Sequence, residues 1–204
     1  MKEQDKKTEV MNIEMPVTLK MGDLMSEEEF FRFCQMNDTL EFERDSQGNI
    51  ILMSPTGSFT GNFNSRISGY LFVWNENSHL GEVFDSSTGF TLPNGAVRSP
   101  DVSWVKSEKW NLITESQKEQ FAPVCPDFVV EIRSKSDGLK YLQNKMEEYI
   151  SNGTQLGWLI DRFEEKVYVY RITGGIFIHD TLNVKLSGET ILPGFVLDLG
   201  SLIK

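Results

Sequence analysis

The stretch RSPDVSWV, Arg98 to Val105, and the stretch CPDFVVEIRSKSD, Cys125 to Asp137, are built alike. Each sends a Pro-Asp pair into an apolar, strand-like run, and the second run carries Glu131 inside it and Arg133 two residues later. A lone buried carboxylate is costly unless it is paired, hydrogen-bonded or bound to metal. Strand alternation puts Val129, Glu131 and Arg133 on one face and Phe128, Val130 and Ile132 on the other. If the two strands are neighbours, Asp101 and Glu131 meet at one edge. Two carboxylates and a backbone carbonyl suit Mg²⁺ or Mn²⁺, which prefer oxygen ligands and keep several waters. Such an ion positions and activates a water and stabilises charge on a phosphodiester. The structural alternative makes Asp101 a strand-start residue and pairs Glu131 with Arg133, Arg98 or Lys145.

The flanking sequence supplies the layers around these strands. Ser26 with Glu29 three residues on is a capping-box pattern, and Phe30, Phe33 and Cys34 share an apolar face, so SEEEFFRFCQMN predicts a short helix. TLEFERDSQGNIILMSPTG predicts a hairpin turning at DSQGN. From Gly61, the residues Phe63, Ile67, Leu71 and Trp74 recur at helical spacing. PDFVVEI is apolar on both faces, as expected of a central strand. After it, Leu139, Leu142, Met146 and Ile150 mark a helix that Gly153 stops, and TQLGWLID and KVYVYRI predict two more strands. The order predicts one α/β core, a mixed sheet flanked by helices, with an N-terminal helix and β-hairpin. A length of 204 residues fits a single domain over 1–204, with residues 1–20 a loose leader.

Composition narrows the class. No apolar run reaches the roughly 18 residues of a membrane span, and the charged N-terminus lacks a signal-peptide core. Cys34 and Cys125 have no framework or metal-ligand spacing, which predicts a cytoplasmic protein with two free thiols. The net charge of −10 argues against binding nucleic acid through a broadly basic surface. The acidity leans towards the N-terminus: residues 1–50 hold 6 basic and 12 acidic groups. SPTGSFTGN lacks the ending of a phosphate loop and reads as the approach to a helix. His79 and His179 lie far apart, and Trp74, Trp104, Trp158, Tyr168 and Tyr170 have spacings suited to packing.

The series SPD, PDFVVEIRSKSD and KMEEYISNGTQLGWLID resembles the PD-(D/E)XK nuclease pattern, in the form of the Uma-two family of restriction endonucleases. FERDSQGNIILMSPTG, FNSRISGYLFVWN and GEVFDSSTGFTLPNGAVRSPDVSW extend the similarity, so that it covers roughly Met21 to Arg171. The resemblance implies a restriction-endonuclease-like fold and metal-dependent cleavage of DNA. It implies Asp101 and Glu131 as metal ligands, and Glu43, in FER, as an early acidic residue that completes the site. The departure is Arg133 where the pattern has lysine. Arginine stays charged and cannot act as a base, though it can clamp a phosphate or a carboxylate. Lys145 is the better candidate for the missing lysine; it lies about 100° around its helix from the apolar stripe, within reach of the strand edge. Its alternative is a solvated helix face with an i,i+3 pair to Glu148.

Two readings follow. In the first the protein is a Mg²⁺- or Mn²⁺-dependent endonuclease acting on DNA through Asp101, Glu131, Lys145, Arg133 and Glu43; a homodimer suits cleavage of both strands. In the second it keeps the fold without catalysis, as a structural or nucleic-acid-binding module. Hydrolysis of another phosphate ester is a distant third.

Overall fold

The computed structural model describes residues 16–22 and 24–203, so residues 1–15 of the leader expected over 1–20 lie outside it. Strand β1 (Val17–Leu19) and helix α1 (Glu27–Met36) precede the hairpin β2 (Glu41–Arg44) and β3 (Ile50–Met53). Helix α2 (Ser58–Ser78) leads to strands β4 (Gly81–Asp85), β5 (Phe90–Thr91), β6 (Val97–Arg98) and β7 (Val102–Lys106). Two short helices, α3 (Ser107–Trp110) and α4 (Glu115–Lys118), come before β8 (Phe128–Ile132), α5 (Leu139–Ser151), β9 (Leu156–Asp161) and β10 (Lys166–Arg171). The last pieces are β11 (Ile176–His179), β12 (Lys185–Ser187), β13 (Val196–Asp198) and α6 (Leu199–Leu202).

Local chemistry accounts for the elements that the sequence announces. The capping box forms: Ser26 Oγ accepts the Glu29 N–H at 3.2 Å, and the Glu29 carboxylate accepts the Ser26 N–H at 2.8 Å. In the hairpin turn, Asp45 Oδ1 accepts the N–H groups of Gln47 and Asn49, and Gly48 supplies the positive φ of 79°. Helix α2 starts three residues before the expected Gly61, because Gly57 provides the extended N-cap and packing of Phe63, Ile67 and Leu71 outweighs the poor helix propensity of Gly61. Residues 17–19 were expected in the leader but pair with β3.

The single mixed sheet expected from the sequence is divided. Strands β1-β3-β2-β6-β5 form an antiparallel five-stranded sheet. Strands β11-β10-β9-β8-β7-β4 form a mixed six-stranded sheet whose one parallel pair is β8 and β9, and β12-β13 is a small hairpin. Helix α5 is the crossover that a parallel pair requires. One face of the six-stranded sheet packs Trp104, Phe128, Val130 and Trp158 under α2 and the C-terminal pieces. The other face packs Val129 and Leu159 under Leu142, Met146 and Tyr149 of α5. A Cβ at Gly157 would collide with Met146 Cε, so glycine there lets α5 lie close on β9. The buried stripe of α5 is Leu142, Lys145, Met146 and Tyr149, rotated from the expected one so that Lys145 faces inwards. Among the described residues no helix is long and apolar enough to cross a membrane.

The joint between the sheets positions the candidate site. Strand β6 belongs to the first sheet and β7 to the second, and Ser99, Pro100 and Asp101 are the residues between them. The SPD motif is therefore the crossing point.

Candidate active site

Strands β7 and β8 pair antiparallel with Val102 opposite Val130, so the register carried one residue further sets Asp101 opposite Glu131. Directly opposed residues share a face of the sheet. Asp101 Oδ2 accepts the Ile132 N–H at 2.7 Å, and Oδ1 accepts from Asn64 Nδ2 of α2 at 3.3 Å. Glu131 Oε1 lies 2.8 Å from Lys145 Nζ and accepts the Tyr149 hydroxyl at 3.1 Å. Lys145 Nζ also sits 2.7 Å from Glu43 Oε1 and donates to the Ser99 carbonyl at 3.4 Å. The four residues Glu43, Asp101, Glu131 and Lys145, far apart in the chain, thus meet at the sheet joint.

Glu43 lies inside the first sheet. Strand β2 lies between β3 and β6, and Glu43 is 1% exposed. Its Oε1 takes the Ser99 N–H at 3.0 Å as well as Lys145, and its Oε2 takes Arg98 Nη1 at 3.0 Å. Arg98 Nε in turn bonds Glu148 of α5 at 2.6 Å. Arg98 and Lys145 each clasp Glu43 and a partner carboxylate on a different element, locking the first sheet to the second and to α5. Glu148 therefore pairs with Arg98, and the i,i+3 pair with Lys145 is not formed.

The balance of charge is uneven. Glu43, Asp101, Glu131 and Glu148 bring four carboxylates, whereas Arg98 and Lys145 bring two cations. Asp101 makes no ion pair among the described residues; its carboxylate is held only by the Ile132 amide and Asn64. Burial in this site pushes Glu131 up to about 8, with the neighbouring carboxylates Asp101 and Glu43 adding to the rise against the pull of Lys145. Burial pushes Asp101 up to about 6. Burial acts on Glu43 too, but Lys145 and Arg98 overcome it and hold this carboxyl below its usual range. The same carboxylates hold Lys145 protonated well above its ordinary range, against its burial. One ammonium cannot satisfy two carboxylates; Glu43 has Arg98 as well, so the shortfall falls on Glu131 and Asp101.

Arg133 stands apart from this cluster. Its Nη1 pairs with the buried Asp161 at 2.7 Å, its Nε donates to the Asp137 carbonyl at 3.2 Å, and its guanidinium lies 5.6 Å from the centre of the Phe163 ring. It clamps a carboxylate, one of the two roles open to it, on the turn after β9.

Three contributors went unassigned in the sequence: Tyr149, Glu148 and Asn64. On α5, Tyr141, Lys145 and Tyr149 recur every four residues, and that polar stripe within an apolar helix is a signal that could have drawn attention to them. Asn64 offers no such signal, because its contact with Asp101 depends on how α2 crosses the sheet. Cys125 is buried, its Sγ 3.2 Å from Thr154 Oγ1, and both cysteines are free.

The donor set suits a hard divalent cation. Among the described residues no three His, Cys, Asp or Glu side chains form a complete cage. Mg²⁺ does not need one, since one or two carboxylates, waters and substrate phosphate oxygens commonly complete its shell. Asp101 and Glu131 are the carboxyl groups least compensated by cations, and a 2+ ion bound there would displace the protons that their raised pKa values favour.

Comparisons with known proteins bear on this geometry. A family profile named Uma2, described as "Putative restriction endonuclease", matches residues 27–200. Among solved structures, the chain is similar to a crystal structure of "a putative nuclease belonging to DUF820" from Anabaena variabilis. The TM-score is 0.72 at 20% sequence identity, over 88% of this chain and 99% of that one. A comparison with curated proteins gave no match.

Proposed function

The chain belongs to the Uma2 family of restriction-endonuclease-like proteins, and from that premise we propose that it is a metal-dependent endonuclease that hydrolyses DNA phosphodiester bonds. The observation that supports this reading is the convergence of Asp101 and Glu131, two buried carboxyl groups with raised pKa values and only Lys145 between Glu131 and Glu43, at the sheet joint. Asp101 and Glu131 would hold Mg²⁺ or Mn²⁺. Bound there, the ion supplies Lewis-acid stabilisation of the phosphodiester and a water of lowered pKa.

The protein's own groups then have distinct tasks. Lys145 remains an ammonium between Glu43 and Glu131, so it acts as a fixed positive charge that orients the attacking water or the scissile phosphate, not as a base. Both oxygens of Glu43 are taken by Lys145, Ser99 and Arg98, which makes it a positioning residue for Lys145. Tyr149 fixes the rotamer of Glu131 through its hydroxyl. Arg133 steadies the Asp161 turn beside the site.

The reading is tested by thermal unfolding and DNA cleavage with and without Mn²⁺, comparing wild type with Glu131→Gln. The expected result is a metal-dependent rise in midpoint and cleavage in wild type, both lost in the variant while the fold persists. Cleavage that survives in a clean Glu131→Gln preparation would refute the assignment.

A further inference from the structure

A second group of side chains lies at the same end of the six-stranded sheet, and the ion-binding scheme leaves it unused. Phe59, in the first turn of α2, is 54% exposed, and Phe163, in the turn after β9, is 51% exposed. The Arg162 guanidinium lies 4.1 Å from the centre of the Phe59 ring and 5.7 Å from that of Phe163. Arg133 covers Phe163 from another side at 5.6 Å. Two exposed rings and a guanidinium are thus stacked into one patch.

The patch lies on the α2 side of the sheet, at the end where Asp101 sits. Asp101 bonds Asn64, and Phe59 precedes Asn64 by five residues, about 7.5 Å along the helix axis. Asp101 also bonds the amide of Ile132, the residue before Arg133, and the Arg133 N–H bonds Ile160 at the end of β9. The turn itself is fixed: Asp161 Oδ1 accepts the N–H groups of Phe163 and Glu164 at 2.9 and 3.1 Å. Arg162 is the free cation of the group. Among the described residues it has no carboxylate within ion-pair distance, and its buried Nε has no hydrogen-bond partner. Arg133, by contrast, is neutralised by Asp161.

Exposed aromatic faces and an unpaired guanidinium are the components of a stacking platform for nucleic-acid bases, where each stacked base contributes about 1–3 kcal/mol. Bases inside a duplex already stack on each other and cannot present their faces to a protein ring. The acidic chain, at −10, also gains little from the counterion release that drives duplex binding. Resting on the nuclease reading above, we propose that Phe59, Arg162 and Phe163 hold an unpaired nucleotide beside the phosphodiester bond to be cut, so that the preferred substrate is single-stranded or locally opened DNA. The base would stack on the outer side of the Arg162–Phe59 layer and against the exposed part of Phe163, and the Arg162 Nη groups, not its buried Nε, would meet the adjoining phosphate.

The test is fluorescence anisotropy in EDTA with one labelled oligonucleotide, presented alone and as a duplex, for wild type, Phe59→Ala, Arg162→Ala and Arg162→Lys. Wild type should bind the single strand at least about tenfold more tightly than the duplex. Phe59→Ala and Arg162→Ala should each weaken single-strand binding about 5- to 150-fold, with little change for the duplex. Arg162→Lys, which keeps the charge but not the planar stack, should fall nearer to alanine than to wild type. Tighter duplex binding, equal losses on both forms, or no DNA binding overturns the inference. A parallel Mn²⁺ cleavage arm separates the two readings. Duplex cleavage with no single-strand preference in binding overturns the platform and keeps the nuclease. Platform-dependent single-strand binding without any cleavage keeps the binding site and removes the nuclease.

Discussion

The two Pro-Asp pairs begin alike and end in opposite roles. Asp101 precedes β7 and Asp127 precedes β8, and because these strands run antiparallel the two carboxylates lie at opposite ends of one ladder. Asp127 is closed on itself: its carboxylate takes the Lys106 N–H at 2.9 Å and Lys109 Nζ at 2.8 Å. Its backbone bonds Trp104, Gln155 and Leu156. Asp101 sits opposite Glu131 and has no cation of its own among the described residues. A carboxylate whose bonds are supplied by its own surroundings is a staple. One that faces other carboxylates without a cation of its own is, on the proposed reading, a ligand for a divalent ion. The dipeptide does not distinguish them; the company that the fold provides does.

The comparison is broken or sharpened most strongly through the two lysines. Lys145→Met removes the ammonium that bridges Glu43 and Glu131 and leaves buried carboxylates short of a partner, which should cost about 3–5 kcal/mol in urea unfolding. Lys109→Met removes a cation that is 38% exposed in its side chain, and should cost about 1 kcal/mol or less. Equal costs would mean that both ends are structural staples of the same kind.

Next in size is the exchange of carboxylates. Asp101→Asn should reduce Mn²⁺-dependent cleavage on the order of a hundredfold or more while keeping or raising stability, since it relieves repulsion with Glu131. Asp127→Asn should keep cleavage and lose about 1–3 kcal/mol, because an amide cannot replace the ion pair and both accepted bonds. The reverse pattern in cleavage assays and melts would assign the site to the wrong end of the ladder.

These contrasts also mark how far the sequence carries. The strands PDVSWV and PDFVVEI, the α5 crossover and the α1 capping box were legible because period, capping and turn signals act within a few residues. The meeting of Asp101 and Glu131 followed from alternation once the strands were taken as neighbours. The division into two sheets was not legible, because it depends on the long-range pairing of β6 with β2 and of β7 with β8. For the same reason the burial of Glu43 between β3 and β6 was not legible. Whether Lys145 faces the carboxylates turned on the rotation of α5, to which contact with β9 at Gly157 contributes. Arg133 was open to two roles in the sequence, and Asp161, buried at the end of β9, takes it.

The smallest effect comes from pH, and its sign follows from the direction of the shifts. Glu131 and Asp101 are raised in the fold, to about 8 and about 6. The folded protein therefore holds protons that the unfolded chain releases near pH 4, and the stability linked to them fades as pH rises through 6 and then 8. Glu43 is lowered, so its contribution is present above its ordinary value and is lost only in acid; that of Lys145 is lost only above its own ordinary range. Between pH 5 and 9 the two raised carboxylates should dominate, and the metal-free melting midpoint should fall, by about 2–4 °C for each kcal/mol in a chain of this size. Mn²⁺ competes with those protons, so its stabilisation should grow over the same window. Glu131→Gln should flatten the upper part of the metal-free profile. A wild-type profile that falls only up to about pH 6 and is level above it would show that Lys145 already satisfies Glu131, leaving Asp101 as the raised carboxyl.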